Sequence, residues 1–240
     1  MDFSGYFAQA CEANGIIGAA ERSGDFKRLH AMLVEFNRGV NLTAVTGERE
    51  AIIKHYADSL TALKYLPQRP DTLIDVGCGG GFPTLPLAIV RRDIAFTALD
   101  STEKKLRFVD MAAKELSLDV KTLCARAEDA GRDPAHREAY GIVTARAVAR
   151  LNVLCELCLP LARVGGVFIA MKGPSGLEEA REARIAAAAL GGEISETAQF
   201  TLADPFGGEE MERVIIVIEK VRPTPEGYPR QYGRIAKKPL

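Results

Sequence analysis

The sequence predicts an α/β fold: a doubly wound, mostly parallel seven-stranded sheet with a helical N-terminal cap and an antiparallel last strand. Three observations predict it. From Thr72 onward, short apolar runs alternate with amphipathic helical stretches, the pattern of a parallel sheet covered on both faces. The first of these runs empties into a glycine-dense turn and then a helix. The last two runs follow one another across Pro205-Phe206-Gly207-Gly208, leaving no room for a crossover helix and pointing to an antiparallel hairpin.

Taken in order, positions 1–70 read as helices. Phe26, Leu29, Leu33 and Phe36 recur at helical spacing, and Ala51-Ile52-Ile53 opens a second amphipathic stretch that runs through Leu63. Residues 1–70 therefore form the expected cap. Strands are expected at 72–76, 95–99, 120–124, 140–144 and 164–171, then at 193–202 and 212–220. Helices are expected near 83–91, 103–116, 150–160 and 176–190, the second with Leu106, Val109, Ala113 and Leu116 on one face. Together 71–221 make the core. Residues 222–240 form a tail with Pro223, Pro225, Pro229, Pro239, Gly227 and Gly233, and should be extended on the surface or disordered when free. No internal repeat is visible.

At 240 residues, 47% hydrophobic and 26% charged, the chain fits one large domain or a domain with an appendage, and excludes disordered, collagen-like and coiled-coil classes. A formal net charge of -1 argues against a surface that coats nucleic acid indiscriminately. The charge is uneven, however. The stretch from Val221 to Leu240 holds Arg222, Arg230, Arg234, Lys237 and Lys238 against Glu226 alone, so it carries +4 and the rest of the chain carries -5. The N-terminus has no basic segment followed by an apolar one, and no run is long enough for a bilayer, so a soluble, cytoplasmic protein with no membrane partner is expected. Five cysteines, an odd number, suit free thiols in a reducing compartment.

The sharpest motif is Leu73-Ile74-Asp75-Val76-Gly77-Cys78-Gly79-Gly80-Gly81-Phe82-Pro83, a strand running into four glycines in five positions and then a helix. Such a turn brings bare backbone close to a ligand. A P-loop needs a Lys-Ser or Lys-Thr pair to close it, and none is present. The dinucleotide pattern G-x-G-x-x-G fails from either start, because Phe82 or Thr84 stands where its third glycine belongs. The run is instead D-x-G-x-G-x-G from Asp75 to Gly81, with an acid, Asp100, in register at the end of the next strand. That layout suits S-adenosylmethionine. It carries no pyrophosphate, so close backbone approach at Gly77 and Gly79 admits its amino-acid part, while Asp100 accepts both ribose hydroxyls. The fold is then a Rossmann-like S-adenosylmethionine methyltransferase fold.

In several segments beyond the loop the chain resembles the bacterial 16S ribosomal RNA guanine-N7 methyltransferases, the glucose-inhibited division protein B family. The segments are Asn41-Leu42-Thr43, His55-x-x-Asp58-Ser59, Asp75 to Pro83, Asp100-Ser101-x-x-Lys104-Lys105-x-x-Phe108, Arg126-Ala127-Glu128, Thr144 to Ala149, Lys172-Gly173, and Tyr228-Pro229-Arg230 through Lys238-Pro239-Leu240. Their joint order carries the resemblance. It implies methyl transfer to N7 of one guanine in 16S rRNA, free or in a small-subunit precursor, without a required oligomer. It also implies cofactor contacts from Gly77, Phe82, Ala127, Glu128 and Arg146.

The chemistry agrees with what the sequence lacks. Guanine N7 is a bare lone pair, so alignment and water exclusion can do the work without a general base. No acid or base is assignable, no Pro-Cys dipeptide marks a carbon-5 nucleophile, and Thr144-Ala145-Arg146-Ala147 stands where an amine methyltransferase carries its Pro-Pro-aromatic motif. Arg146 is the candidate for positioning: a fixed cationic fork for the cofactor carboxylate, the guanine edge or a phosphate. Cys155 and Cys158 lie in an apolar helix with no histidine near in sequence and read as core thiols, so no metal is expected. His55 and Asp58 are spaced to bond one another or cap a neighbour; Lys104, Lys105 and Arg107 form either a solvated helix face or an RNA track. The same core could instead serve a small molecule or a protein, or bind the cofactor at the ribosome without turnover.

Overall fold

The computed structural model describes residues 1–69 and 71–240. The chain opens with α1 (Phe3–Ala13) and α2 (Ser23–Asn37). Asp2 caps α1 by accepting the Gly5 N–H at 3.0 Å, and Phe3, Phe7, Ala10 and Cys11 form the helix's buried face. A continuous helical run follows: α3 (Glu48–Ala51), a π-helical stretch (Ile52–Ala57), α4 (Asp58–Leu60) and a 3-10 turn (Thr61–Tyr65). Phe7 and Phe26 stack with centroids 4.3 Å apart at the centre of this cap.

The sheet comprises β1 (Thr72–Val76), β2 (Ala95–Asp100), β3 (Val120–Cys124), β4 (Tyr140–Arg146), β5 (Ala162–Lys172), β6 (Gly192–Leu202) and β7 (Met211–Lys220). Their spatial order is β3-β2-β1-β4-β5-β7-β6, and β7 runs antiparallel to both β5 and β6. The expected strands all form, and the expected final hairpin places β7 inside the sheet with β6 at its edge. Between strands lie α5 (Thr84–Val90), α6 (Glu103–Glu115), α7 (Ala127–Ala130), α8 (Leu151–Cys158), α9 (Gly176–Glu182) and α10 (Arg184–Ala189). The stretch expected as one helix over 176–190 is thus two, meeting at Ala183.

One apolar cluster joins the cap to the sheet's helices: Phe7, Phe26 and Tyr56 share it with Leu85, Ile89, Phe108 and Val109. Burial in common fixes the cap against α5 and α6, and with them against the carboxyl ends of the central strands. The second large cluster, under α8 to α10, holds Cys155 and Cys158, both fully buried. Burial pushes the Cys155 thiol up to about 12, which suits an inert core thiol.

The tail departs from the sequence expectation. It is ordered and ends in a helix, α11 (Tyr232–Lys237), whose Ile235 is wholly buried in the cluster around α8. Arg230 reaches Glu156 of α8 through a bidentate pair, Nε to Oε1 at 2.8 Å and Nη2 to Oε2 at 2.6 Å, and Arg132 and Arg137 donate to the Pro229 and Tyr228 carbonyls. Tertiary burial rather than local propensity makes this short helix.

Candidate active site

Strand order reverses between β1 and β4, so the carboxyl ends of β1, β2 and β4 diverge around a crevice. A cavity of about 300 Å³ occupies it, within the range of small-molecule sites. Gly77, Asp100, Lys105, Ala127, Glu128 and Tyr232 are among its lining residues.

The glycine loop is built around backbone that side chains would block. Gly77, Gly79 and Gly81 have φ of +74°, +56° and +86°, the left-handed region that favours glycine. A Cβ at Gly77 would also sit 2.7 Å from Val148 Cγ2, so this position must be bare. The Gly77 and Cys78 N–H groups donate to the Leu99 carbonyl at 2.8 and 3.0 Å, tying the loop to β2. Asp100 is clamped from both sides: Gly79 N–H donates to Oδ2 at 3.0 Å and Thr102 N–H to Oδ1 at 2.8 Å. Its carboxylate borders the cavity with acceptor capacity left for a pair of ribose hydroxyls. Asp75 has a different task. Wholly buried, it accepts from Thr84 Oγ1 at 2.7 Å and Thr144 Oγ1 at 3.0 Å, knitting β1 to α5 and β4, and burial pushes its carboxyl up to about 6. Glu128 is buried and lines the same cavity, where no side-chain hydrogen bond engages it among the described residues. A loop of exposed backbone, a pinned acid and an unengaged carboxylate fit an adenosine-bearing cofactor.

A second pocket of about 310 Å³ adjoins the first through Ala147, which lines both. Ala147 has φ +56°, unusual for a residue with a Cβ, and turns the chain sharply between Arg146 and α8. Asp58 holds two guanidiniums here: Arg146 Nη1 on Oδ2 at 2.9 Å and Arg213 Nε on Oδ1 at 2.8 Å. Arg146 also donates to the Lys54 carbonyl at 3.0 Å, and its Cζ lies 5.7 Å from the Phe82 ring centroid. Phe82 in turn stacks on His55, centroids 4.4 Å apart and planes at 13°. Burial and the Arg146 charge hold the His55 imidazole down at about 4, so it is neutral near pH 7. Its Nε2 meets Thr43 Oγ1 at 2.8 Å, while Nδ1 is buried with no partner among the described residues. On the far side, Lys172 Nζ bonds Glu179 at 2.8 Å and the Ala149 carbonyl at 2.6 Å, and Glu179 accepts the Leu151 N–H at 2.8 Å. This latch fixes the turn that separates the two pockets.

The residues singled out in the sequence thus fall in two groups. Gly77, Asp100, Ala127 and Glu128 line the cofactor-sized cavity, and Gly79 supports it by clamping Asp100. Phe82 and Arg146 do not line it; they join His55 and Asp58 beside the second pocket. His55 and Asp58 do not bond one another. Arg213, Glu179 as the partner of Lys172, and the place of Tyr232 in the cavity wall are not foreseen in the sequence, although Lys172 and Tyr232 fall within segments that carry the resemblance. The lone Arg213 ahead of the apolar run Val214–Ile218 is a usable signal for the first, since a charge in a central strand needs a partner.

Comparison with known proteins agrees with this geometry. Residues 22–205 match the model of the family GidB, described as rRNA small subunit methyltransferase G. Proteins named ribosomal RNA small subunit methyltransferase G are similar along nearly the whole chain. That of Pelotomaculum thermopropionicum is 47% identical over 228 residues, covering 94% of each chain. That of Geobacillus kaustophilus is 44% identical over 236 residues, 98% of each. Among solved structures, the geranyl diphosphate C-methyltransferase of Streptomyces coelicolor, crystallised with S-adenosyl-L-homocysteine, superposes with a TM-score of 0.54 at 17% identity over 69% of this chain and 79% of that one. The YcgJ protein of Bacillus subtilis gives 0.53 at 13% identity, over 70% and 100%. These two share the fold. Full-length similarity, the family match and the paired pockets at the switch point together place the chain in the GidB family of small-subunit ribosomal RNA methyltransferases.

Proposed function

We propose that the chain methylates N7 of a guanine in 16S rRNA, with S-adenosylmethionine in the cavity at Gly77, Asp100 and Glu128 and the base in the pocket at Arg146 and Arg213. The observation that carries this reading is the state of the second pocket's carboxylates. Asp58 is bound between two arginines, and Glu179 is bound by Lys172, Ser175 and the Leu151 N–H. Among the described residues no carboxylate there is free to take a proton, and the neutral His55 is stacked beneath Phe82. Guanine N7 asks for no base: its lone pair forms the N–C bond as the S–C bond breaks, and no proton leaves. An exocyclic amine or a ring carbon would have to lose one.

When bound, the cofactor supplies a methyl group on a sulfonium, an electrophile that needs only an aligned acceptor. Asp100 orients the ribose, the glycine loop lets backbone approach, and the turn at Ala147 sets the distance between the pockets. Arg146 and Arg213, held rigid by Asp58, donate to the guanine O6 while leaving the neighbouring N7 lone pair free, and exclude water. In this scheme residues 1–70 act as a cap that delivers His55 and Asp58, residues 71–221 as the catalytic core, and residues 222–240 as a basic tail. Lys104, Lys105, Arg126, Arg234, Lys237 and Lys238 make no ion pair among the described residues and are free for phosphates. Arg107 is paired with Glu103 at 3.1 Å and Arg230 is spent on Glu156, so neither belongs to that track.

No helix among the described residues is long and apolar enough to cross a membrane. The substrate is 16S rRNA or the small-subunit precursor in the cytoplasm, and a single chain suffices, since both pockets are built from its own residues. The test is transfer of tritiated methyl groups to protein-free 16S rRNA, assembled small subunits and a metabolite panel, followed by nucleoside digestion. Label in 7-methylguanosine supports the reading; label in metabolites alone, or none at all, overturns it.

A further inference from the structure

The cofactor cavity has a wall that neither the glycine loop nor the strand-end acid accounts for. Tyr232 contributes the single aromatic ring among its lining residues, and it comes from α11, far along the chain from the glycine loop. The residue is 40% exposed and Ile235 wholly buried, so α11 is docked by one side chain and presents another at the cavity mouth. The docking is heavily built. Arg230 forms its bidentate pair with Glu156, whose side chain is fully buried, and its own N–H donates to Glu156 Oε1 at 2.8 Å. Arg132 Nε donates to the Pro229 carbonyl at 2.7 Å and Arg137 to the Tyr228 and Thr224 carbonyls at 2.7 and 2.8 Å. Three arginines and a buried carboxylate hold a segment whose half-exposed aromatic has no hydrogen bond of its own among the described residues.

The position of the ring identifies its ligand. Asp100, which suits ribose hydroxyls, is bonded on one side to the glycine loop through Gly79 and on the other to Thr102, which lines the cavity with Ser101, Arg126 and Ala127. Tyr232 belongs with these residues: the Arg126 guanidinium lies 5.9 Å from its ring centroid. A planar, electron-poor purine attached to the ribose would enter between backbone and ring, where an aromatic face stabilises it by stacking. We propose that the C-terminal helix closes the cofactor site and that Tyr232 contacts the adenine of S-adenosylmethionine, so that the tail is part of the binding machinery. The proposal rests on the cofactor reading given above.

The chain contains no tryptophan, so Tyr232→Trp introduces a sole indole reporter at the site. Its emission should change saturably as S-adenosylhomocysteine is added. By calorimetry, Tyr232→Ala should weaken S-adenosylhomocysteine by about tenfold, and Tyr232→Phe should bind about as well as wild type. The melting temperature of ligand-free Tyr232→Ala should match wild type, because Ile235 and Arg230 still dock the tail. If wild type binds and Tyr232→Ala binds equally, or the indole signal stays flat at saturation, Tyr232 does not touch the cofactor and the proposal is overturned alone. If wild type binds no S-adenosylhomocysteine, the cofactor reading falls first and takes the proposal with it.

Discussion

At the scale of single residues, Asp58 organises the second pocket by charge: one carboxylate, nearly buried, between Arg146 and Arg213. Removing one member of such a buried group leaves the others uncompensated, typically at a cost of about 3–5 kcal/mol. Asp58→Ala should therefore lower kcat on rRNA by about a hundredfold or more, while S-adenosylhomocysteine affinity, measured separately, stays within about threefold of wild type. Equal losses in both would mean that Arg146 serves the cofactor instead. His55 makes a pH prediction. Its folded pKa, about 4, lies below the unfolded value of 6.5, so the folded state binds fewer protons. The stability this contributes is complete above pH 6.5 and is lost as pH falls through 6.5 towards 4, about 3 kcal/mol in all. Asp75, pushed up from 3.8 to about 6, acts in the opposite sense, and its contribution rises as pH falls from about 6 towards 3.8. Replacing His55 with Phe should flatten the fall in unfolding free energy between pH 6.5 and 4, as read by urea titration; an unchanged slope would show that His55 does not titrate there.

At the scale of elements, the strands are legible because burial on both faces leaves short Val, Ile and Leu runs that few other structures explain; Gly77 and Asp100 are legible as cavity residues because each occupies a fixed place relative to a strand end, whereas Glu128 is pointed to only by the family resemblance. Arg146 stands out in the sequence as a candidate, but its wall of the crevice does not: the turn at Ala147 decides that, through a positive φ that no local pattern announces. The tail hides its structure for a related reason. Its prolines and glycines suggest an extended segment, and a helix this short cannot hold alone; the burial of Ile235 and the Arg230–Glu156 pair come from α8, far earlier in the chain. Glu156→Ala should strip Arg230 of its partner and lower the melting temperature by about 6 to 12 °C, from a loss of about 3 kcal/mol. Replacing Arg234, Lys237 and Lys238 together with Gln should leave the melting temperature unchanged and reduce the salt slope of RNA binding by about two. An unaltered slope would remove the tail from the RNA path.

At the scale of the whole molecule, a net charge of -1 at first counts against an RNA partner. The structure redistributes that number. Many acids are spent inside, with Asp58, Asp75, Glu156 and Glu179 all buried, or in exposed pairs such as Glu103 with Arg107, while Lys105 of α6 and Arg126, without ion pairs among the described residues, line the cofactor cavity. An enzyme that must find one base and then release it is better served by a local cationic rim than by an adhesive surface. One claim is central: this rim and the paired pockets deliver a methyl group to N7 of a guanine in 16S rRNA. Borohydride reduction and aniline cleavage break RNA at 7-methylguanosine, so primer extension on 16S rRNA maps it directly. Ribosomal RNA from cells carrying the gene should show one strong stop that disappears when the gene is deleted, returns with the wild-type gene and does not return with Asp58→Ala. An identical cleavage pattern with and without the gene would contradict the account.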